Sequence, residues 1–356
     1  MESQSSTTGL KRKASFEGLQ QTDSKKAKDQ RGDTSGPAAQ EAASSKQPTN
    51  VTLPVNITFP SPTPDTVKIA SWNVAGLRAS LKKVCTFVDG MALILTPFVP
   101  GRRYKGFKFY VEAEDPDILI LTETKINDVP MEPVLDSRYP HRYWNIAKQK
   151  GYAGTAAFSK HKPISVGYVL PDIKTPDIVK GRLVILEFES CWVVGTYVPN
   201  AGQKLKSMDA KVEWQRAFQL HMQHLDSQKP VIWTGDQNVA HTPLDLTNSK
   251  SNWDKTPGHT AIECEWFRDF LKGPESTSNE DTTSFVDVWR RMNPKLQHYT
   301  YFSMMRKCRE KGIGWRLDMF VLSQRLYSRV KTCVIRDEIY GASDHVPIVL
   351  ELEGTL

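Results

Sequence analysis

Gly314-Trp315-Arg316-Leu317-Asp318 runs directly into the apolar stretch Met319-Phe320-Val321-Leu322. A polar and aromatic segment feeding an apolar, β-branched run predicts a strand over Leu317–Leu322, with Asp318 near its opening. Two other stretches share this form. Gly235-Asp236-Gln237-Asn238 follows the run Val231–Thr234, and Ser343-Asp344-His345 precedes Val346–Leu352. All three therefore gather polar groups where strands begin or end. Together they supply most of what phosphodiester hydrolysis requires: a carboxylate to orient water, a histidine, donors for phosphate oxygens, and oxygen ligands for a metal. Each stretch alone has a plainer explanation. Gly-Asp-x-Asn closes many strands as an Asx turn, and Ser-Asp is a good turn or cap pair.

Outward from these stretches the same grammar repeats. Val67–Trp72, Ile118–Leu121, Thr155–Phe158, Arg182–Phe188, Cys191–Tyr197, Arg329–Ile335 and Val346–Leu352 read as further strands. Asp209, Trp214, Phe218, Met222 and Leu225 have helical spacing that stops before Pro230, and Ala261–Leu271 ends ahead of Gly273-Pro274. Many strands and few helices predict an α/β protein of two packed sheets with helices outside.

Several strand ends carry candidates. If strand alternation continues past Thr234, Asp236 and Asn238 share one side: Asp236 to orient or deprotonate water, Asn238 to donate to a phosphate oxygen. A histidine held by a carboxylate, as His345 would be by Asp318 or Asp344, stays charged and stabilises developing negative charge. Glu123 ends the strand at Leu121 and suits a hard cation such as Mg²⁺, with Asn73 close by. Tyr197, ahead of Pro199-Asn200, can donate to a leaving oxygen. Tyr301, Phe302, Trp315 and Leu317 would form a small dry pocket beside a phosphate, or simply belong to the core.

Bulk properties set bounds. The chain has 356 residues, 39% of them hydrophobic, with nine Trp and fourteen Phe, enough for one large domain. A net charge of +7 favours polyanionic partners. The five cysteines are odd in number and lack CxxC spacing, which predicts free thiols rather than a zinc site or disulfide framework. No apolar run has membrane-spanning length, so no membrane partner is expected. Residues 1–65 are rich in Ser, Thr, Gln, Lys and Pro and almost free of aromatic residues; they predict a disordered tail, with the folded domain over 66–356. Within the tail, Lys11-Arg12-Lys13 and Lys25-Lys26-Ala27-Lys28 have the form of a bipartite nuclear import signal, which predicts a nuclear protein.

From about Val67 to Leu352 the chain resembles the exonuclease III branch of the endonuclease/exonuclease/phosphatase superfamily, and most of all its eukaryotic apurinic/apyrimidinic endonucleases. The segments that carry the resemblance are SWNVAGLRA, LTETK, YVPNAG, GDQNVAH, YTYF, GWRLDMFVLS and SDHVP. The resemblance implies a four-layered α/β sandwich of two mostly antiparallel sheets flanked by helices, like deoxyribonuclease. It implies hydrolysis 5′ to abasic sites in duplex DNA with Mg²⁺ or Mn²⁺, with 3′-phosphodiesterase or 3′→5′ exonuclease activity beside it. The alternatives are a mainly exonucleolytic enzyme, or a damage-binding scaffold with weak catalysis. By position, Glu123 would be the principal metal ligand, with Asn73, Asp236, Asn238, Asp344 and His345 also in the ligand set. Asp236 would activate water; His345, held by Asp318, would contact the scissile phosphate. Tyr197 would assist the leaving group, and Asn200 and Asn238 would donate to the phosphate. Tyr301, Trp315 and Leu317 would line the pocket for a base-free sugar. A monomer is expected, and the sequence names no repair partner.

Three departures stand out. Ala75 lies where animal relatives often carry an Asp, so metal binding leans on Glu123. Ala70 lies where mammalian members carry a redox-active Cys. Finally, Val84–Lys105 is an excess over relatives, which run as if Lys83 joined Gly106. It reads as a family-specific loop or as a retained intron. Val84-Cys85 can be encoded by GTATGT, Leu95-Thr96 can contain CTAAC, and Lys105 can end in AG.

Two measurements check these readings. A reporter fused to residues 1–65 should enter the nucleus, and neutralising both basic clusters should stop it. Sequencing the transcript should yield messages without codons 84–105; a message that keeps them in most copies would refute the intron.

Overall fold

The computed structural model describes residues 46–51, 53, 57, 59–60, 63–85, 104–273 and 284–356, with only the backbone described at 84–85 and 104–105. The strands are β1 Thr66–Asn73, β2 Val84–Cys85, β3 Tyr104–Lys105, β4 Ile118–Thr122, β5 His141–Asn145, β6 Thr155–Ser159, β7 Ser165–Gly167, β8 Leu183–Glu187, β9 Trp192–Tyr197, β10 Val231–Asp236, β11 Phe285–Asp287, β12 Asp318–Ser323, β13 Val330–Ile335 and β14 Ile348–Glu353. Twelve of them form two six-stranded sheets, β13-β14-β1-β4-β6-β5 and β11-β12-β10-β9-β8-β7. Each sheet has one parallel pair, β1/β4 in the first and β9/β10 in the second, and is otherwise antiparallel.

Period-2 alternation explains how four layers form. One face of each sheet meets the other: Ile69, Ile120, Val184, Val193, Ile232, Phe320 and Leu350 fill the space between. The opposite faces take helices. Trp72, Leu119 and Leu121 pack with Phe107, Tyr110 and Val111 of the helix Gly106–Glu114. Val194, Trp233 and Val321 pack with Trp214, Phe218, Phe267 and Phe270 from the helices Met208–Gln228 and Ala261–Lys272. Each such side chain contributes roughly 1.5–3 kcal/mol on burial. The sheets approach closely at Gly195, where a Cβ would stand 2.7 Å from Ile120 Cγ2. The expected α/β sandwich is therefore what the chain forms.

The expected strands are all present. Five short strands were not expected: β5, whose half-exposed HRYWN has no apolar alternation, the three-residue strands β7 and β11, and the two-residue strands β2 and β3. β2 and β3 pair with each other and stand apart from both six-stranded sheets. Their neighbours close the excursion, since Gly106 N donates to Lys83 O at 3.3 Å. Residues 86–103, at the centre of the loop-or-intron reading, lie outside the described residues.

The boundary expected at residue 66 is set too late. Upstream of it, Leu53 and Ile57 are buried in the core. Gln47 pairs with the Tyr299 backbone in both directions, donating from Nε2 to O at 2.7 Å and accepting from N at 2.9 Å. Asn50 accepts from Arg309 and donates to Glu338 O. The polar composition of this stretch hid a few well-spaced anchors. Residues 1–45, with both basic clusters, lie outside the described residues. Among the described residues, no helix is long and apolar enough to cross a membrane, and Cys191, Cys264, Cys308 and Cys333 are buried free thiols.

Candidate active site

Sheet register assembles the site. On β10 and β12, Asp236 stands opposite Asp318, and on β10 and β9 Asp236 stands beside Tyr197. On β1 and β4, Asn73 pairs with Thr122, which puts Glu123 one residue past the strand end. His345 arrives on the loop before β14, and its backbone bridges Tyr301. Residues from 73 to 345 in sequence thus meet at one rim of the sandwich.

His345 Nδ1 and Asp318 Oδ2 are 2.7 Å apart, both groups buried. Burial alone would push the imidazole down. The adjoining charges outweigh it, Asp318 first and then Asp236 and Asp344, and raise it to about 10. The ring is an imidazolium at neutral pH. Asp236 is shifted up, by burial first and by the Asp318 charge next, against the pull of His345. Asp236 Oδ1 accepts from Asn238 N at 2.8 Å and Oδ2 from Asn73 Nδ2 at 2.9 Å. It is a buried, oriented carboxylate with the proton affinity of a base.

Asn238 does not follow strand alternation. It sits at φ 49°, in the left-handed region, as the Asx turn anticipated for an isolated Gly-Asp-x-Asn. The turn itself builds the site. Gly235 is required just before it: at φ 124° a Cβ would stand 2.1 Å from Thr196 O. Asn238 Nδ2 donates to Val198 O at 2.8 Å, and Asn200 Nδ2 donates to Asn238 Oδ1 at 3.0 Å. Each amide retains one N–H for another acceptor. The Tyr197 phenol is held well above its ordinary value by burial first, then by Glu123 and Asp236, so it remains a proton donor.

The expected metal ligands divide. Glu123 is held below the ordinary range; burial opposes this, but Lys125 and Asn73 overcome it by hydrogen bonding and charge. Its Oε2 lies 2.7 Å from Lys125 Nζ. A cation thus already rests on this carboxylate, and its hard oxygens fit a divalent ion. Asn73 faces the carboxylates with its amide nitrogen, donating to Glu123 at 3.0 Å and to Asp236, while its oxygen accepts from Ala75 N. Its amide nitrogen thus bridges two carboxylates. Asn238 Oδ1 accepts from Asn200 Nδ2. Asp236, Asp318 and His345 bring three potential ligand atoms within 4.8 Å of one another. His345 Nδ1 is engaged by Asp318 Oδ2, which places a cationic ring among these carboxylates. Asp344 is half-buried and acts on the charge of His345.

Beside the dyad, Leu317 packs with Ala240 and Leu246, and Tyr301 and Trp315 pack against them. The Tyr301 ring lies 4.9 Å from the His345 ring. Phe302 instead joins Tyr299, Tyr340 and Val346. Four residues make contacts that the sequence reading did not assign. Ser343 Oγ donates to Asn73 O at 2.7 Å and accepts from His345 N at 3.1 Å. Thr300 Oγ1 accepts from the N–H groups of Leu317 and Asp318. Arg182 stacks between the rings of Tyr152 and Tyr197. Lys125 pairs with Glu123. Ser343, Thr300 and Lys125 lie within the SDHVP, YTYF and LTETK segments, while Arg182 had only its place at the start of an apolar run.

Residues 70–345 match the model of the Endonuclease/Exonuclease/phosphatase family. The chain is 36% identical over 285 residues to an exodeoxyribonuclease of Bacillus subtilis, covering 80% of this chain and 98% of that protein. It is 36% identical over 296 residues to the DNA-(apurinic or apyrimidinic site) endonuclease of Dictyostelium discoideum, covering 82% of this chain and 72% of that protein. The solved structure of an AP endonuclease from Archaeoglobus fulgidus superposes with a TM-score of 0.63 at 25% identity, covering 80% of this chain and 98% of that one.

Asp318→Asn should lower the His345 pKa from about 10 toward the ordinary histidine value. A lower pKa means less imidazolium at higher pH, so cleavage should fall further at about pH 8.5 than at about pH 6. NMR titration of the ring and rates at both pH values check this; an equal loss at both would separate catalysis from the ring charge.

Proposed function

The chain belongs to the Endonuclease/Exonuclease/phosphatase family, and from that premise we propose that it is a DNA repair hydrolase that cuts the phosphodiester 5′ to an abasic site in duplex DNA. The observation that carries this reading is the charged His345–Asp318 dyad, with Asp236 beside it and the Tyr301, Trp315 and Leu317 pocket at its flank.

In this reading Asp236 takes the proton of the attacking water. The water oxygen bonds to phosphorus, and the bond to the 3′ oxygen of the upstream nucleotide breaks. The imidazolium of His345 and the spare N–H groups of Asn200 and Asn238 stabilise the negative charge that builds on the phosphate. The Tyr197 phenol donates to the departing oxygen, leaving a 3′-hydroxyl, while the phosphate stays with the abasic sugar. Tyr301, Trp315 and Leu317 admit a sugar without a base. A divalent cation, Mg²⁺ by the hardness of its ligands, would be held by Glu123 and would supply further charge neutralisation at the phosphate. Ala75 removes one carboxylate but leaves Glu123, Asp236, Asp318 and His345 in place, which disfavours a scaffold with weak catalysis. The exodeoxyribonuclease name of the Bacillus relative favours a second activity on 3′ ends.

A duplex carrying one tetrahydrofuran abasic analogue should be nicked on its 5′ side only when Mg²⁺ is present. Glu123→Gln should lose most of that activity at limiting Mg²⁺ and recover part of it at high Mg²⁺, since an amide oxygen is the weaker ligand. No nicking by the wild type would remove the proposal, and an equal loss at every Mg²⁺ concentration would place the metal elsewhere.

A further inference from the structure

Lys211 and Glu263 form a fully buried ion pair that none of the motifs contains. Lys211 stands on the helix Met208–Gln228, Glu263 on the helix Ala261–Lys272, and both side chains are 0% exposed. Lys211 Nζ donates to Glu263 Oε1 at 2.6 Å and to the backbone O of Asn238 at 2.7 Å. The other carboxylate oxygen of Glu263 accepts from Gly258 N and from Thr260 Oγ1, each at 2.8 Å.

Such a pair is a poor device for stability. Desolvating both charges offsets much of their attraction, and apolar residues of similar size commonly hold a fold as well. What this pair grips is more telling. Asn238 has a left-handed backbone at φ 49°, a conformation that persists only where the surroundings impose it. Its N–H is fixed by Asp236 and its side chain by Val198 and Asn200. Lys211 fixes the remaining group, the carbonyl. Glu263 fixes Gly258, where a Cβ would stand 3.1 Å from Asn238 O and 3.6 Å from the Trp315 ring. The two helices therefore reach through the outer layer of the sandwich to the segment joining Asn238 to the pocket.

We propose that Lys211 and Glu263 are positioning residues: the pair locks the backbone at Asn238, and with it the N–H that orients Asp236, in the geometry needed for cleavage. This rests on the reading of Asn238 as a group beside the scissile phosphate. Lys211 touches no reacting atom. A displacement of the order of an ångström suffices to slow such a reaction roughly 100-fold.

The test uses the full chain and single-turnover cleavage of the tetrahydrofuran duplex at saturating Mg²⁺, with the DNA dissociation constant and the melting midpoint measured alongside. Lys211→Met should cleave roughly 10- to 100-fold more slowly while binding DNA as the wild type does. It also strands a buried carboxylate, so its melting midpoint should fall. Combining it with Glu263→Gln neutralises both partners and keeps the acceptor for Gly258. That double variant should regain the melting midpoint and remain slow. If its rate returns together with its stability, the pair is structural only and the proposal fails. It fails equally if Lys211→Met cleaves at the wild-type rate, or if neither variant folds, since the pair would then be holding the fold. Asn238→Ala separates the two levels. A wild-type rate there sinks the role of Asn238 itself. A slow Asn238→Ala beside a normal Lys211→Met sinks only the proposal about the pair.

Discussion

Two buried carboxylates, Asp236 and Asp318, face each other across β10 and β12, and one imidazole makes that arrangement tolerable. Antiparallel register forces the pairing: once Thr234 pairs with Phe320, Asp236 must pair with Asp318. Like charges so placed repel, and burial raises the cost of ionising Asp236. His345 answers both, bonded to Asp318 and electrostatically favourable to Asp236. The dependence runs both ways, because the same carboxylates hold the ring charged. Base and cation are thus products of one electrostatic bargain.

A second charged network fixes the entrance to β12. Arg316 is fully buried, with Nε on Asp245 Oδ1 at 2.7 Å and Nη2 on Asp287 Oδ2 at 2.6 Å. Arg290 and His241 bind the same two carboxylates. Losing one partner of such a network costs on the order of 3–5 kcal/mol, because a buried charge is left alone. The position of Arg316 matters more than its energy. Its neighbours Trp315 and Leu317 turn toward the pocket, and Asp318 follows at once. One anchored guanidinium therefore sets the specificity surface and the catalytic dyad in a single stretch of five residues, which is why that stretch is so informative as sequence.

What sequence could reveal follows from the range of the forces involved. Apolar runs of four to seven residues announce β1, β4, β10, β12 and β14, since these strands are buried on both faces. Catalytic groups one residue from such runs, Glu123 and Asp318 among them, could be placed by counting. Groups that act through backbone atoms could not. Ser343 tying Asn73 to His345, Thr300 capping two N–H groups, and Lys211 holding Asn238 O depend on contacts that reach 270, 18 and 27 positions along the chain. Asn73 shows a different limit: its residue type suited a metal ligand, but only the N–H of Ala75 decides which end of the amide faces the carboxylates. The anchors at Gln47, Asn50, Leu53 and Ile57 were hidden by the polar composition around them.

The site also concentrates backbone strain. Ala75, Glu123, Lys125 and Asn238 all have positive φ, between 49° and 50°, and none is glycine. Each such residue costs on the order of 1–3 kcal/mol and survives only where other contacts over-determine it. Those contacts can be named. Gly154 and Ala153 carbonyls accept from Thr124 and Lys125, the Glu123 carbonyl accepts from Gly76, and Asn238 is held at both its N–H and its carbonyl. The strained residues lie just beyond strands, where a chain in ordinary extended conformation would carry its side chains past the rim. Turning left-handed there folds Glu123 and Asn238 back over the strand ends toward Asp236. The rigid sandwich is what makes this affordable: two sheets packed through Ile120, Val193 and Phe320 give the strand ends little room to relax, so the energy stored at the rim stays in the geometry of the site.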